Sequence, residues 1–282
     1  MWSLRELIKD IPLIHVLDVG AALGEKPIYQ PLIDAKAARI SGFEPTQSEC
    51  DKLNAKYGAP HRFYPTFVGD GTAKTFHETR LNLTGSLFEP NQALNEKFQA
   101  LGEFTELVKT HAVETTRLDD VNGLEDVDLL KIDVQGAELM VFEHGPRVLS
   151  ETLMIQTEVE FVPLYKEQPL FAEVDIHLRR AGFQFHTFLG FGSRAFKPLV
   201  KNKQPTAGFR QLLWSDAVYV RDFMQLERLS EDKLKKLALL AHDLYQSLDL
   251  CHLVLEELDR RGAEKWAPRY LQRLTGAPAP RK

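Results

Sequence analysis

Cysteine is scarce in this chain of 282 residues, which contains only Cys50 and Cys251. Two cysteines cannot build a disulfide framework, and they lack the pairing that a structural zinc site needs. No apolar run is long enough to span a bilayer, and the start of the chain does not follow the pattern of a signal peptide. We therefore expect a protein of the reducing cytoplasm without a membrane span.

A strong charge of one sign is also missing. The formal net charge is -5, and no run of like charges occurs along the chain. Because a general nucleic-acid binder carries a basic patch, we expect no nucleic-acid partner and favour a small-molecule or glycan partner. The composition, with 44% hydrophobic and 27% charged residues, is that of an ordinary globular protein.

Short apolar runs alternate with longer amphipathic stretches. The runs predict strands at 13–19, 38–43, 63–68, 127–132, 153–159, 183–189 and 213–220. The amphipathic stretches predict helices at 24–37, 46–57, 135–149 and 170–181. This alternation predicts an α/β fold with a Rossmann-like, doubly wound and mostly parallel sheet. The part at 71–121 is less regular, and we expect a hairpin and loops there.

A helical pattern replaces the alternation near the end of the chain. Ser230 is expected to cap a helix that stops at Gly262, so we divide the chain into a sheet domain at 1–225, a helical extension at 226–262 and a loosely held basic tail at 263–282. The extension carries an apolar stripe at spacings of three and four. The stripe could pack on its own domain, cover the active site or form a homodimer, and we favour the first.

The first predicted strand ends in a turn that contains Asp18, Gly20 and Gly24. Glycine lets the backbone turn sharply and approach a ligand closely. A dinucleotide site requires a third glycine, and a carboxylate at Asp18 would repel pyrophosphate, which argues against an NAD-dependent oxidoreductase. The same carboxylate could accept hydrogen bonds from an ammonium group. The turn therefore suits a cofactor with an amino-acid moiety, although a purely structural connection is an equal alternative.

Two further acidic positions follow later strands. Glu44 ends the second strand, where doubly wound folds place the acid that binds ribose hydroxyls. Its alternative role is a solvated acid at a helix start beside Pro45. Asp70 and Gly71 follow the third run, where Asp70 could meet an adenine amino group or simply form a turn with the glycine.

The fourth strand and the helix after it, at 128–138, carry Lys131, Asp133, Gln135 and Glu138. Together with the turn at Gly20, this segment resembles the FkbM-type methyltransferase family, whose members have a similar strand-turn-helix motif, K-x-D-x-E-G-x-E. The segments at 84–91, 117–120 and 158–165 are also similar, so the resemblance covers about 13–188 in ordered pieces.

The resemblance implies a class I methyltransferase that uses S-adenosylmethionine to methylate a hydroxyl of a sugar, glycan or natural product. The implied cofactor site lies within 1–225, near the six positions already named as candidates: Asp18, Gly20, Gly24, Glu44, Asp70 and Gly71. This chain departs from the family at Ala22, where asparagine is usual, and at Gln135, where glutamate is usual. These departures leave a non-catalytic, cofactor- or protein-binding member as an alternative.

Acidic side chains at the ends of the fourth and fifth strands are the candidate catalytic groups. Asp133 and Glu158 could act as a general base, and Lys131 could pair with one of them. A divalent metal held by Asp133, Glu158 and Glu160 is a further alternative, but we favour a metal-free site.

Overall fold

A computed structural model describes residues 2–23 and 26–276 of the chain. Within these residues, the ten strands are β1 (Ile14–Val19), β2 (Ala38–Phe43), β3 (Arg62–Tyr64), β4 (Phe67–Val68), β5 (Ala73–Thr79), β6 (Leu107–Thr116), β7 (Leu129–Ile132), β8 (Met154–Glu160), β9 (Phe183–Ser193) and β10 (Leu212–Arg221). The ten α-helices of the same part are α1 (Gln30–Asp34), α2 (Gln47–Tyr57), α3 (Gln92–Asn95), α4 (Leu101–Phe104), α5 (Glu138–Glu143), α6 (Pro146–Glu151), α7 (Phe171–Arg180), α8 (Glu231–Leu239), α9 (Leu248–Arg261) and α10 (Trp266–Thr275). None of the described helices is both long and apolar enough to cross a membrane.

The central sheet has seven strands in the order β3-β2-β1-β7-β8-β10-β9. The first five of these are parallel, whereas β10 runs antiparallel to both β8 and β9. The chain moves outward from β1 to β3 on one side and then returns to β7 on the other side of β1. The strand order therefore reverses between β1 and β7, which confirms the predicted doubly wound α/β fold.

Helices cover both faces of this sheet, as β1 illustrates. Ile14 and Val16 belong to an apolar core that includes side chains of α1, α2, α8, α9 and α10. Leu17 and Val19 point the other way, into a second core formed with α5, α6 and α7. Because successive side chains of a strand point to opposite faces, a strand buried on both sides must be continuously apolar.

A smaller sheet of three strands, in the order β4-β6-β5, lies within the irregular part of the sequence. β5 and β6 form the expected hairpin, in which Phe76 is paired with His111. The strand predicted at 63–68 is wrong as a single element, because it is divided into β3 and β4. Pro65 lies at the division, and proline cannot donate a hydrogen bond to a neighbouring strand.

Two predicted helices are shorter than expected. The stretch at 135–149 contains both α5 and α6, and Pro146 begins the second of them because it lacks the N–H that a continuous helix requires. The stretch at 24–37 contains only α1, which has Pro31 in its first turn. Gly24, at the start of that stretch, lies outside the described residues.

The C-terminal extension begins and ends as predicted but is divided in its middle. The Ser230 hydroxyl accepts a hydrogen bond from the Lys233 amide at 3.2 Å, and Gly262 follows the last turn of α9. A π-helical turn and Gln246, with φ at 51°, separate α8 from α9, and the two helices pack against each other. The apolar stripe is buried in the core beneath the sheet. Packing on its own domain is therefore confirmed, and a homodimer could use only the outer face of these helices.

The prediction of a loosely held tail is wrong for its described part. α10 packs against α9, and Tyr270 is fully buried. The Tyr270 hydroxyl lies 2.8 Å from Nδ1 of His242, which is also fully buried. Because these residues are 28 positions apart, no local pattern could reveal this pairing.

Tyr270→Ala tests whether α10 is part of the stable fold. We expect a loss of about 3–5 kcal/mol in the free energy of unfolding, the usual cost of truncating a buried aromatic side chain. Urea denaturation followed by circular dichroism measures this loss. Leu271→Ala is the control, because Leu271 lies on the same helix and is 45% exposed. Equal, small effects of the two substitutions would contradict the packed arrangement.

Candidate active site

A cavity of about 490 Å³ lies at the carboxyl ends of the parallel strands, where the strand order reverses between β1 and β7. Ligands of open α/β sheets bind at this place. The polar residues that line the cavity from these strand ends include Gly20, Glu44, Lys131, Asp133, Glu158 and Glu160. Its volume is in the range of small-molecule and cofactor sites.

The turn after β1 forms one wall of the cavity. Gly20 has φ at +84°, and its amide donates a hydrogen bond to the Phe43 carbonyl at 3.0 Å. A Cβ at Gly20 would lie 2.0 Å from the Asp133 carbonyl oxygen. Only glycine fits both the left-handed backbone and this close approach. The predicted role of Gly24 lies outside the described residues.

Asp18 lies behind this wall and not on its surface. It is 3% exposed, and Oδ2 accepts a hydrogen bond from the Tyr29 hydroxyl at 2.5 Å. Oδ1 pairs with Nζ of Lys131 at 3.4 Å. Burial lowers the pKa of Lys131, but the charges of Asp18 and Asp133 raise it by more, so the net shift is upward. Asp18 thus keeps Lys131 charged and fixed at the cavity wall.

Glu44 does line the cavity, at the end of β2. Its carboxylate accepts a hydrogen bond from the Thr46 amide at 2.7 Å, which fixes the side chain beside the start of α2. Burial raises the pKa of Glu44, although the hydrogen bonds from Thr46 act in the opposite direction. This is the position where an acid can accept hydrogen bonds from ribose hydroxyls.

Asp70 and Gly71 lie in the turn between β4 and β5, outside the lining of the cavity. Asp70 pairs with Lys74 at 2.5 Å and accepts a hydrogen bond from the Thr72 amide at 3.0 Å. Gly71 has φ at +83° and faces Arg117. The geometry therefore corresponds to the turn-forming alternative, and an adenine contact by Asp70 stays a prediction without a contact that favours it.

Asp133 and Glu158 lie side by side on the cavity floor. The Gln135 amide joins them, because its Nε2 donates to Asp133 Oδ1 at 2.8 Å and to Glu158 Oε2 at 2.6 Å. The Tyr165 hydroxyl donates to Gln135 Oε1 at 2.9 Å, and the Ser86 hydroxyl donates to the Gln135 carbonyl at 2.7 Å. Gln135 itself has φ at +55°. A strained residue whose side-chain amide and backbone carbonyl are both hydrogen-bonded is held in one orientation.

Glu138 and Glu160 complete the acidic cluster. Glu138 is 2% exposed and accepts a hydrogen bond from the Val134 amide at 2.8 Å. Burial, with the charge of Asp133, raises the pKa of Glu138 to about 7. Burial raises the pKa of Glu160 well above its usual range, and the charges of Glu138 and Asp133 act in the same direction. Glu138 and Glu160 therefore hold a proton more readily than ordinary carboxyl groups do.

The acids close enough to share a cation differ from the predicted set. Carboxylate oxygens of Asp133, Glu138 and Glu158 lie within 4.8 Å of one another, so Glu138 takes the place expected for Glu160. Glu160 is two residues further along β8, a step of about 7 Å in a strand. The sequence did point to Glu138, because it is the last acid of the 131–138 motif. Where its side chain points depends on the backbone at the start of α5, which the motif does not predict.

A cluster of this kind can do two things chemically. A carboxylate with a raised pKa is a better proton acceptor near neutral pH than an ordinary one. In addition, excess negative charge in a partly enclosed cavity favours a ligand that carries positive charge. Among the strand-end residues described above that line the cavity, Lys131 is the single positively charged one. The carboxylates therefore outnumber the positive charges there.

The fold and this site define a doubly wound α/β protein with a ligand cavity at the point where the strand order reverses. The family model described as "Methyltransferase FkbM domain" matches residues 18–185, which is more than half of the chain. The protein therefore belongs to the FkbM methyltransferase family, whose members depend on S-adenosylmethionine.

One similar protein is the 2-O-methyltransferase NoeI of Sinorhizobium fredii (strain NBRC 101917 / NGR234), with 38% identity over 118 residues. The match covers 40% of this chain and 44% of NoeI, so the chain spans less than half the length of this curated relative.

Solved structures with a similar fold are more distant. The magnesium protoporphyrin IX methyltransferase of Synechocystis PCC 6803 with bound SAM has 14% identity and a TM-score of 0.40, with 77% of this chain and 76% of that chain covered. The 30S ribosomal A1408 methyltransferase from an uncultured bacterium has 12% identity and a TM-score of 0.35, with 78% and 95% covered. Likeness at this level carries no information about the acceptor.

The raised pKa of Glu138 predicts a stability that depends on pH. A buried carboxyl whose folded pKa is raised stabilises the fold while protonated, and this contribution is lost as pH rises through the folded pKa. We expect the ligand-free protein to lose stability between about pH 4.5 and pH 7, the range between the ordinary and the raised pKa of Glu138, and Glu138→Gln to remove up to about 3 kcal/mol of that loss.

Urea denaturation across this pH range measures the effect. Glu143→Gln is the control, because Glu143 is exposed at the other end of α5. If wild type and Glu138→Gln show parallel pH profiles, the raised pKa of Glu138 is refuted.

Proposed function

We propose that this protein is an S-adenosylmethionine-dependent O-methyltransferase that acts on a hydroxyl of a sugar, glycan or natural product. The observation that carries the proposal is the pair Asp133 and Glu158, joined by the Gln135 amide on the floor of a cavity that Gly20 and Glu44 also line. The similarity to NoeI, which is a 2-O-methyltransferase, supports transfer to oxygen.

The cofactor residues in this proposal follow the cavity wall. When bound, S-adenosylmethionine supplies a methyl group activated by a positively charged sulfur. Glu44 would accept hydrogen bonds from its ribose, and the turn at Gly20 would let its amino-acid part approach the backbone. The carboxylates of the floor suit a ligand with positive charge. Asp18 supports this wall from behind, while contacts by Gly24, Asp70 and Gly71 stay predictions.

In the proposed mechanism, Glu158 is the general base. Burial, and next the charge of Asp133, raise its pKa well above the usual range, which makes it an effective acceptor for the proton of a hydroxyl. The Gln135 amide holds Glu158 toward Asp133, and Lys131 keeps its proton and fixes the wall beside them. Positioning of the acceptor hydroxyl in a cavity with restricted water access supplies the rest.

A metal is not part of this proposal. The Gln135 amide already bridges Asp133 and Glu158 and provides donors between them, although Asp133, Glu138 and Glu158 could hold a divalent ion if the amide moved. We also favour a small-molecule or glycan acceptor over nucleic acid, because a net charge of -5 and an acidic cavity repel a polyanion. We also propose a cytoplasmic location, as expected from the two cysteines.

Glu44→Ala tests the cofactor site. Loss of a carboxylate that accepts ribose hydrogen bonds should weaken S-adenosylhomocysteine binding by about tenfold or more. Calorimetric titration of the purified protein measures this. Asp51→Ala, an exposed acid on the adjacent α2, should bind as wild type does. Equal affinity of all three proteins would remove Glu44 from the site.

Glu158→Gln tests the base. Turnover with an accepted hydroxyl substrate should fall by about 10²–10⁴-fold, the usual contribution of a general base, while S-adenosylhomocysteine affinity stays within about twofold of wild type. Because the base must be ionised, kcat of the wild type should rise with pH through the raised pKa of Glu158.

An acceptor screen that monitors S-adenosylhomocysteine release supplies the substrate for this test, with Glu143→Gln as the matched exposed control. A Glu158→Gln variant with nearly wild-type kcat would move the base to Asp133. Cofactor binding without turnover on any hydroxyl acceptor would favour the non-catalytic alternative.

A further inference from the structure

Arg194 lines the cavity and has no carboxylate partner among the described residues. Nη1 donates hydrogen bonds to the Ser193 carbonyl at 2.9 Å and to the Thr206 carbonyl at 3.0 Å. Nε is buried and has no hydrogen-bond partner. Within the part of the chain that the structure describes, the guanidinium group therefore keeps donors that nothing satisfies.

A second half-buried arginine, Arg221, has a structural role. Arg221 donates to the carbonyls of Thr152 and Ala181, at 3.0 Å and 3.1 Å, and packs over the ring of Phe183. It contributes nothing to the cavity lining and joins three segments of the fold. Arg194, in contrast, leaves its Nε unused at the wall of a cavity. Because an unsatisfied buried donor costs free energy, a missing acceptor is the simplest explanation.

The place of Arg194 separates it from the cofactor residues. Its guanidinium carbon lies 4.8 Å from the centre of the Trp214 ring, and Trp214 also lines the cavity. Trp214 is paired with Glu160 in the register of β10 and β8. Gly20 and Glu44 directly follow β1 and β2, on the other side of β7. Arg194 is therefore on the side of the acidic floor that the cofactor residues leave free for the acceptor.

The electrostatics of Arg194 agree with an absent anion. Burial lowers its pKa, and no neighbouring carboxylate acts in the opposite direction. Its Nη2 donates to no described residue and is not buried, and a guanidinium stacked on an aromatic ring with such free donors is suited to bind carboxylate, sulfate or phosphate. The Trp214 ring beneath it would restrict its orientation.

We propose that Arg194 forms an anion subsite, so that the hydroxyl acceptor of this enzyme carries a carboxylate, sulfate or phosphate group. This inference rests on the proposed function, since it concerns the acceptor of that reaction. The acidic floor and Arg194 then have separate tasks: the floor activates the hydroxyl, and Arg194 holds a single anionic group of the same acceptor at a distance from the carboxylates.

The test uses the protein loaded with S-adenosylhomocysteine, and the probes are sodium sulfate, D-glucuronate, D-glucose 6-phosphate and neutral D-glucose. Calorimetric titration gives their affinities for wild type, Arg194→Gln, Arg194→Lys and Arg210→Gln. Arg210 is an exposed arginine close in sequence and serves as the matched control. The three anions distinguish the possible sources of the charge.

We expect at least one anion to bind wild type and Arg210→Gln equally and Arg194→Gln about tenfold or more weakly, with Arg194→Lys in between. D-glucose should not distinguish the four proteins, and S-adenosylhomocysteine affinity should be the same in all. The partial recovery with lysine separates charge recognition from a structural role at Ser193 and Thr206.

Two results would overturn the subsite. One is the absence of anion binding by a wild-type protein that does bind S-adenosylhomocysteine. The other is an equal loss of anionic and neutral sugars in Arg194→Gln, which would indicate a distorted cavity. Failure of wild type to bind S-adenosylhomocysteine would instead refute the proposed function, so the two failures are distinguishable.

Discussion

An excess of carboxyl groups at one edge of the sheet is the constraint on which the site depends. The ends of β1 and β7 bring Asp18 and Asp133 near the ammonium group of Lys131. The end of β8 and the start of α5 add Glu158 and Glu138 beside Asp133. Parallel strands make this unavoidable, because their carboxyl ends meet at the same edge. Each buried charge lowers stability unless it is paired or protonated. The raised pKa values of Glu138 and Glu158 are the physical record of this excess. The crowded carboxyl groups lower the stability of the fold, and they also become better proton acceptors than ordinary carboxylates.

Gln135 reduces the repulsion between the crowded carboxylates, and it links the floor to the rest of the cavity. A glutamate at this position would add a further negative charge between Asp133 and Glu158, whereas the amide donates to both. Its orientation depends on Ser86 and Tyr165, which belong to two segments that are distant in the sequence. The Thr84 carbonyl oxygen also lies 2.9 Å from the Tyr165 hydroxyl oxygen and shares the single hydroxyl proton with Gln135 Oε1. The loop before α3 is therefore linked through Gln135 to the carboxylates. The position of Glu158, the proposed base, depends on the conformation of that loop.

The sequence was sufficient for features that local pattern or strand direction determines. Continuous apolar runs predicted the central strands, and the carboxyl-end rule placed Glu44 and Asp133 at the cavity. The rule gave no help where a side chain could turn either way: Asp70 follows a strand but faces Lys74 in a turn. Glu138 was in the motif, yet its direction depends on the helix start after Gly136. The burial of Tyr270 arises from a contact between distant helices, which no short-range pattern encodes.

The C-terminal helices act at the opposite edge of the sheet from the cavity. Asp128, fully buried just before β7, accepts hydrogen bonds from Lys233 at 3.0 Å and from Lys236 at 2.7 Å, as well as from the His15 amide at 2.9 Å. These contacts fix α8 to the amino ends of β1 and β7, and no described residue of the extension lines the cavity. The extension covers the amino ends of the strands, and the cofactor turn occupies part of the cavity at the carboxyl ends. The remaining walls of the cavity must therefore select the acceptor. Those walls come from the loops at 81–105 and from the region of Arg194, so differences in acceptor among relatives should arise there and not in the helical extension.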